Sequence, residues 1–441
     1  MTHGKGATAP QTPLQRTAQG RARRALAGLL LVALAARVGL VLALPELARA
    51  DPDAANFRRL ALSVAQGRGL STPEGRPTSE RAPLYVLFLA GHYRVFGVKA
   101  LPPQLTQAVL GTVAVGLSWL LAREARLGAR AAFWVVALLA VYPGMIYWNA
   151  VLMSETLFQV LFLAWMWMLW RLAVRPSPGR AALAGLAGGV AALCRAEPFY
   201  FHLAIVPIVL CWHGAQSRRR RLGAWALSGA MLLVVLAPWA VRNWYAHGEI
   251  LFTYHGGYVL LTGVNPHRAE TYAFGERDAA HAWAQEHVAP YTAGARTEAQ
   301  VDAARTRAAW AYLREHWTDF VPVWARRVAR TWSPWIELRA VEGPSAHLFR
   351  AAVFVVEGLL LIGAVVCLCA RPWRGRFVWV WVYAGYFTAI HVLYPAMIRY
   401  RYPLLPLVAI MGVAGWLWAL ERRGPGDGPG PERLREDARG V

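Results

Sequence analysis

The chain has 441 residues, 56% of them hydrophobic and only 16% charged, with a formal net charge of +22. So apolar a composition excludes a soluble protein of several domains and fits a chain that crosses a membrane many times. The charge does not argue for nucleic acid, because the arginines sit in short clusters between apolar runs, as cytoplasmic loops and anionic headgroups require.

Residues 1–24 read as a disordered cytoplasmic tail ending in RARR (21–24). The apolar run 25–44 follows, with a small-x-small triplet at Ala48-Arg49-Ala50. It is longer than a signal-peptide core and long enough to span, so an uncleaved first helix is expected. Nine further apolar runs, at 102–122, 130–148, 155–173, 181–196, 198–213, 222–241, 349–370, 377–393 and 403–420, bring the expected spans to about ten. The apolar segment 83–97 is too short to span and carries His92 and Arg94, which suits a surface or re-entrant helix.

With the N-terminus inside, the cytoplasmic connections are 123–130, 175–180, 213–223 and 371–376, and all four are basic. The short outer loop near 147–155 has no Lys or Arg, the asymmetry that the positive-inside rule demands. The expected organisation is therefore a transmembrane core over 25–241 with a first outer loop at 45–101, a long outer loop at 242–348, C-terminal spans over 349–420 and a second disordered tail at 421–441. The long loop carries an Ala-rich helical stretch (276–316), then WTDFVPVWARRVARTWSPW (317–335), where Trp and Arg interleave as in a helix lying at the headgroup level. Cys194, Cys211, Cys367 and Cys369 lie in or beside apolar segments and read as packing residues, with no disulfide expected.

The first outer loop concentrates the polar chemistry. Asp51-Pro52-Asp53 reads as a helix start: an Asp cap, Pro at the first helical position and an acid in the first turn. Gly67 and Gly69 mark the end, and Phe57, Leu60, Ala61, Val64 and Ala65 fall at helical spacing on one face. The two acids have a plain reading as helix caps. They also have a sharper one, in which Asp53 or Asp51, half-buried at the water interface, is a general base. Glu155, ionisable in an otherwise apolar MSETLF, is a functional candidate at membrane depth or else a first-turn acid behind Ser154. Arg195 and Glu197, in CRAEP, read as a mainly structural pair. His202, His247, His255 and His391 show no metal-motif spacing, and a Walker loop is missing from the sequence.

The pattern Asp53, Phe57, Leu60, Ala61, Gly67, Gly69, Ser71, then Gly75, Pro77, Thr78, Arg81, Pro83, Leu84 and Tyr85, resembles the first outer loop of protein mannosyltransferase-like and aminoarabinose transferase-like enzymes. These are polyprenyl-phosphate-sugar glycosyltransferases of the GT-C superfamily. YPGMIYWNAVLMSETLF (142–158), PWAVRNWYAHG (238–248), HGGYVLLTGVNP (255–266) and RYRYPLLP (399–406) resemble later stretches of the same family, in the same order. The resemblance implies an all-α polytopic membrane protein of the cytoplasmic membrane, a GT-C-like bundle with amphipathic helices on its outer face. It implies an inverting enzyme that moves a sugar from a polyprenyl-phosphate donor to an acceptor hydroxyl on a glycan, lipid or protein at the extracytoplasmic face. Nucleic acid has no place in that scheme.

On that reading Asp53 is the general base and Glu155 binds sugar or metal or positions the Asp53 helix. Arg81, Arg242, Arg399 and Arg401 are the candidate cations for the donor phosphate, because a guanidinium donates in pairs and stays charged beside apolar groups. Tyr85 and Asn265 are further donor-binding candidates. Two departures matter: Ala54 stands where many relatives carry Glu, and Phe57 replaces a commoner Tyr. With one carboxylate missing, no cofactor is assigned and a divalent metal stays open. Two other readings remain, a transporter of lipid-linked sugars and an inactive scaffold on the same fold. The transporter predicts charges deep within the spans and broken, repeat-like helices.

Overall fold

The computed structural model describes residues 13–212, 217–250, 253, 255–268, 277–336, 343–370, 373, 375–394 and 397–422. Among them the secondary structure is helical throughout, save one isolated bridge between Ser71 and Pro77. In chain order the helices are α1 (Pro13–Ala43), α2 (Pro52–Ala65), α3 (Pro83–Phe96), α4 (Leu101–Glu124), α5 (Ala129–Val141), α6 (Pro143–Ala150), α7 (Ser154–Val174) and α8 (Pro178–Cys194). There follow α9 (Glu197–Ala204), α10 (Val206–Trp212), α11 (Arg218–His247), α12 (Gly256–Val264), α13 (Arg277–Thr292) and α14 (Glu298–Thr331). The last are α15 (Pro344–Cys369), α16 (Val378–Leu393) and, after a 3₁₀ segment (Ile398–Leu404), α17 (Leu405–Glu421).

Six helices among the described residues are long and apolar enough to cross a membrane: those in α1, α4, α7, α11, α15 and the segment Ile398–Glu421. The pair α5 and α6, bent by 47°, makes a seventh if it is taken as one broken span. The other three expected spans are shorter pieces. α8 and α16 are apolar helices of 17 and 16 residues, and 198–213 is broken into α9 and α10. Helix α1 starts at Pro13, so part of the stretch expected to be a disordered tail is helical; residues 1–12 and 423–441 of the expected tails lie outside the described residues. The segment 83–97 forms the short helix α3, as its length and polar residues imply.

The bend between α5 and α6 has an identifiable cause. Pro143 has no N–H to offer the α5 carbonyls, and the ends of such a helix need other donors. Arg37 of α1, fully buried, supplies them: Nη1 donates to Ala140 O at 3.0 Å and Nη2 to Leu139 O at 3.3 Å. Its Nε donates to Asn149 Oδ1 at 2.7 Å, tying α6 to the same guanidinium. Gly111 of α4 makes room for this network, since a Cβ there would stand 1.9 Å from Asn149 Oδ1. The arginine inside the bundle is thus a backbone cap for a broken helix.

The first loop is folded onto the bundle rather than left in solvent. Thr72 N donates to Arg76 O and Thr78 N to Leu70 O, closing a turn at Gly75, whose φ of 79° suits glycine. Glu298, in the first turn of α14, accepts from Thr78 Oγ1 and Ser79 N, each at 2.8 Å. Arg242 of α11 donates to Ser79 Oγ at 2.6 Å and to Leu70 O at 2.9 Å. The first turn of α14 and the end of α11 therefore meet the first loop at residues 70–80, which sets the wall of the site.

Candidate active site

Helix α2 is the amphipathic helix that its pattern implies. Asp51 is its N-cap, the side chain accepting from Asp53 N at 2.9 Å, with Pro52 in the first helical position. Ala54, Phe57, Leu60 and Ala61 are buried against the bundle. That face fixes Asp53 at the rim, one turn before Phe57, with its side chain 33% exposed. Ala54 is itself fully buried, so the place of the missing second carboxylate lies in the core and not at the cavity.

Asp53 opens onto a cavity of about 650 Å³. Its lining is mixed: the charged residues Asp53, Glu80, Arg81, Glu155, Arg195, Glu197 and Arg399 line it together with Tyr200 of α9, Val259 of α12, and Tyr386, Ile390 and Tyr394 from α16 and just beyond. The two candidate catalytic acids and two of the four candidate phosphate cations therefore share one chamber. Arg81 Nη2 stands 2.9 Å from Asp53 Oδ1 and stacks over the Phe57 ring, 5.1 Å from its centroid. Arg399, only 4% exposed, donates through Nη2 to Asp53 Oδ2 and pairs through Nη1 with Asp51. Its Nε lies 3.8 Å from Glu155 Oε1. One guanidinium is thus shared by three carboxylates.

Arg195, read from sequence as structural, belongs to the same cluster. Its Nη1 lies 3.8 Å from Glu155 Oε1 and its Nε 3.3 Å from Glu197 Oε1. Arg195 and Arg399 both lie over the Tyr400 ring, at 5.2 and 5.4 Å from its centroid. The clue available in the sequence was a charge at the break between two apolar helices, where an ionisable group is costly unless it has partners or work. His255 and His391 also line the chamber. Burial, and then the neighbouring Arg81, push the His255 imidazole down to about 3, so it is neutral at physiological pH.

The remaining candidates lie elsewhere. Arg401 points away from the chamber: it pairs with buried Glu357 of α15 and donates to Thr331 O at 3.1 Å and Ser333 O. Tyr142 donates to the same Glu357, making a buried tie between the α5–α6 bend, α15 and the 3₁₀ segment. Arg242 holds the first loop, as described above. Tyr85 is fully buried and donates to Gln107 Oε1 at 2.7 Å. Asn265 donates to Ala280 O at 2.9 Å and lines a separate cavity of about 200 Å³ between α12, α13 and α14. Among the described residues, no group of three or more His, Cys, Asp or Glu is placed to hold a metal ion.

Burial works to raise the Asp53 carboxyl, but Arg81 and Arg399 overcome it and hold the group down at about 2. Asp53 is therefore ionised across the physiological range. It is also a weak base as long as both guanidinium groups stay on it.

Residues 80–241 match the family model described as dolichyl-phosphate-mannose-protein mannosyltransferase. The match takes in Arg81, Glu155 and Arg195 but not Asp53 or Arg399. No curated protein sequence matches the chain. The fold is similar to that of the archaeal oligosaccharyltransferase AglB from Archaeoglobus fulgidus in complex with an inhibitory peptide and a dolichol-phosphate, with a TM-score of 0.50 and 13% identity over 93% of this chain and 53% of that one. An apo form of the Archaeoglobus fulgidus oligosaccharyltransferase superposes with a TM-score of 0.53 and 15% identity, over 94% of this chain and 52% of that one. ArnT from Cupriavidus metallidurans bound to undecaprenyl phosphate aligns at a TM-score of 0.41 and 16% identity, over 92% of this chain and 80% of that one. The chain spans about half the length of the oligosaccharyltransferase. With residues 80–241 matching a mannosyltransferase family model and a fold similar to that of an oligosaccharyltransferase around them, the chain is a helical, multi-pass membrane protein.

Proposed function

We propose that the chain is a membrane glycosyltransferase that takes a sugar from a polyprenyl-phosphate donor and transfers it, with inversion, to an acceptor hydroxyl at the extracytoplasmic face. The observation that carries this reading is the mixed lining of the cavity. A carboxylate, guanidinium groups, and aromatic and aliphatic side chains line one chamber. A charged head joined to an isoprenoid tail needs both kinds of partner.

In the proposed reaction the acceptor oxygen attacks the anomeric carbon from the side opposite the phosphate. The C–O bond to the acceptor forms as the bond to the phosphate oxygen breaks, and the electron pair leaves on the phosphate. Asp53 accepts the hydroxyl proton. Arg399 and Arg195, and Arg81 from the loop, stabilise the charge gathering on the phosphate, because paired N–H donors in a dry site match its oxygens. Glu155, 2% exposed with Oε2 making no hydrogen bond, can accept from a sugar hydroxyl. Tyr200, Tyr386, Ile390 and Tyr394 offer apolar surface to the first isoprene units. The orientation follows from the basic connections on the opposite side. The acceptor is a hydroxyl-bearing glycan, lipid or protein.

Two features weigh against the alternatives. Deep in the bundle, Arg37 and Glu357 are satisfied by helix backbone, Asn149, Tyr142 and Arg401, which gives them a structural role that a transport pathway for charged lipids would not require. An inactive scaffold has no need of an ionised carboxylate open to a chamber. The test is transfer of labelled sugar from polyprenyl-phosphate donors by membranes containing the wild-type chain or Asp53→Asn. Transfer by the wild type and its near-loss in the variant support the reading, while equal transfer by both removes Asp53 from the chemistry.

A further inference from the structure

The chamber holds a contradiction if it is a donor site: its base is bound by the cations that must meet the donor. Arg399 resolves it. The residue is almost fully buried, yet the hydrogen bond it gives Asp53 is on the cavity side, and its Nε makes no hydrogen bond at all. Nη1 of Arg195, buried beside it, likewise makes none, and both atoms stand 3.8 Å from Glu155 Oε1 without donating to it. Buried guanidinium N–H groups without acceptors are costly, and an anion with several oxygens is the group that would take them up.

We propose that Arg399 is an exchangeable counter-ion: an entering polyprenyl-linked phosphate draws its guanidinium from Asp53, so the carboxylate becomes a competent base only once the donor is bound. Asp51 serves as the fixed end of the device. Its ion pair with Nη1 holds Arg399 in place while Nη2 changes partner. The gain in basicity follows from charge alone, because an ion pair with a carboxylate suppresses its proton affinity and a phosphate competing for the same guanidinium restores it. The other groups around Asp53 set the limits. Arg81 stays on Oδ1, with Glu80 3.9 Å from the Arg81 Nε. Glu155 and Arg195 sit behind Arg399, and His255 on the α12 side is neutral. The consequence for the reaction is order: donor first, then proton transfer from the acceptor. An acceptor that enters an empty chamber finds a carboxylate too weak to deprotonate it.

The proposal rests on the reading of this chamber as the donor site, and the test separates the two. The full chain in detergent is treated at pH 5 with a small water-soluble carbodiimide and an amine, which together label protonated carboxyls. Labelling of Asp53 is then read by fragmenting the tryptic peptide 50–58, with and without undecaprenyl phosphate, and binding of that lipid is followed in the same samples by native mass spectrometry. Exchange predicts that bound undecaprenyl phosphate raises the initial labelling rate of Asp53 by about tenfold, because one of the opposite charges that suppress its protonation is drawn away. Inorganic phosphate, which lacks the tail, separates a lipid-held phosphate from a free one: an equal rise with it at millimolar concentration would assign the switch to phosphate itself. In Arg81→Gln samples that still bind the lipid the rise should persist, because Arg399 and not Arg81 exchanges. Its disappearance while the lipid stays bound would show that the switch is not Arg399. If undecaprenyl phosphate binds and the labelling of Asp53 is unchanged or falls, exchange is wrong while the donor-site reading stands. If the lipid does not bind, both fall.

Discussion

At the scale of single residues the proposed chemistry centres on Asp53. Its replacement by Asn keeps the size and the N-terminal turn of α2 but removes the proton acceptor of the proposed reaction. Transfer should fall by roughly 10²–10⁴-fold, the usual worth of a positioned base, while donor binding persists. The same carboxylate makes a statement about pH. Its folded value of about 2 lies below the ordinary 3.8, so the stability it contributes is complete above about pH 4 and is lost as pH falls from there towards 2. Thermal unfolding in detergent across that window should show a loss in the wild type that Asp53→Asn lacks. Arg401 makes the opposite case. Arg401→Gln would leave Glu357 buried without its counter-charge, so it should cost about 3–5 kcal/mol of stability while the KM for donor in the surviving folded protein stays put. Both arginines of RYRYP look alike in sequence, and both were candidates for the phosphate. In a 3₁₀ segment with three residues per turn, positions two apart point to different sides, so one reaches the chamber and the other enters the bundle. Sequence shows that such a pair exists; only the helix phase says which member faces the substrate. Arg195 makes the pair with Glu197 that its sequence suggests, but nothing local shows that this pair also lines a cavity formed by distant helices.

Elements tell where legibility holds and where it fails. The cap, the first-turn proline and the apolar face of α2 are local signals, and the helix forms where they say. Boundaries in apolar runs are less legible: 181–196 and 377–393 form helices of 17 and 16 residues, shorter than the six longest apolar helices, and 198–213 breaks near Pro207. The break at Pro143 survives because Arg37 and Gly111 serve it from two other helices, a dependence no single segment reveals. Gly111→Ala should therefore cost about 1–3 kcal/mol by crowding Asn149 and Arg37, measured as a lower Tm with the transfer chemistry intact once folded. Helix α14 bends at His316, and beyond it Trp317, Val321 and Val328 are exposed on an arginine-rich half. This is the segment whose interleaved Trp and Arg point to the headgroup layer. A spin label at Trp317→Cys in liposomes should report headgroup depth; a label fully accessible to aqueous relaxant would show instead that this half stands in solvent.

For the molecule as a whole, the first loop, the segment after α11 and the C-terminal 3₁₀ segment close around a chamber lined by charged and aromatic residues, where we propose that a lipid-linked phosphate binds. The fold class and the helical, multi-pass organisation are readable from composition and hydropathy, since backbone groups in a bilayer must satisfy one another. The convergence of Asp53, Glu155, Arg81, Arg195 and Arg399 is not, because they come from five separate stretches that only the packing of the helices brings together. The most direct test is a structure of the full chain in a lipid nanodisc with a non-hydrolysable polyprenyl-phosphonate sugar. The account predicts the phosphonate between Arg399 and Arg195, the anomeric carbon facing Asp53, and the isoprenoid leaving along Tyr200 and Tyr394. A phosphonate bound at another cavity, or at this one with the sugar turned away from Asp53, would contradict it.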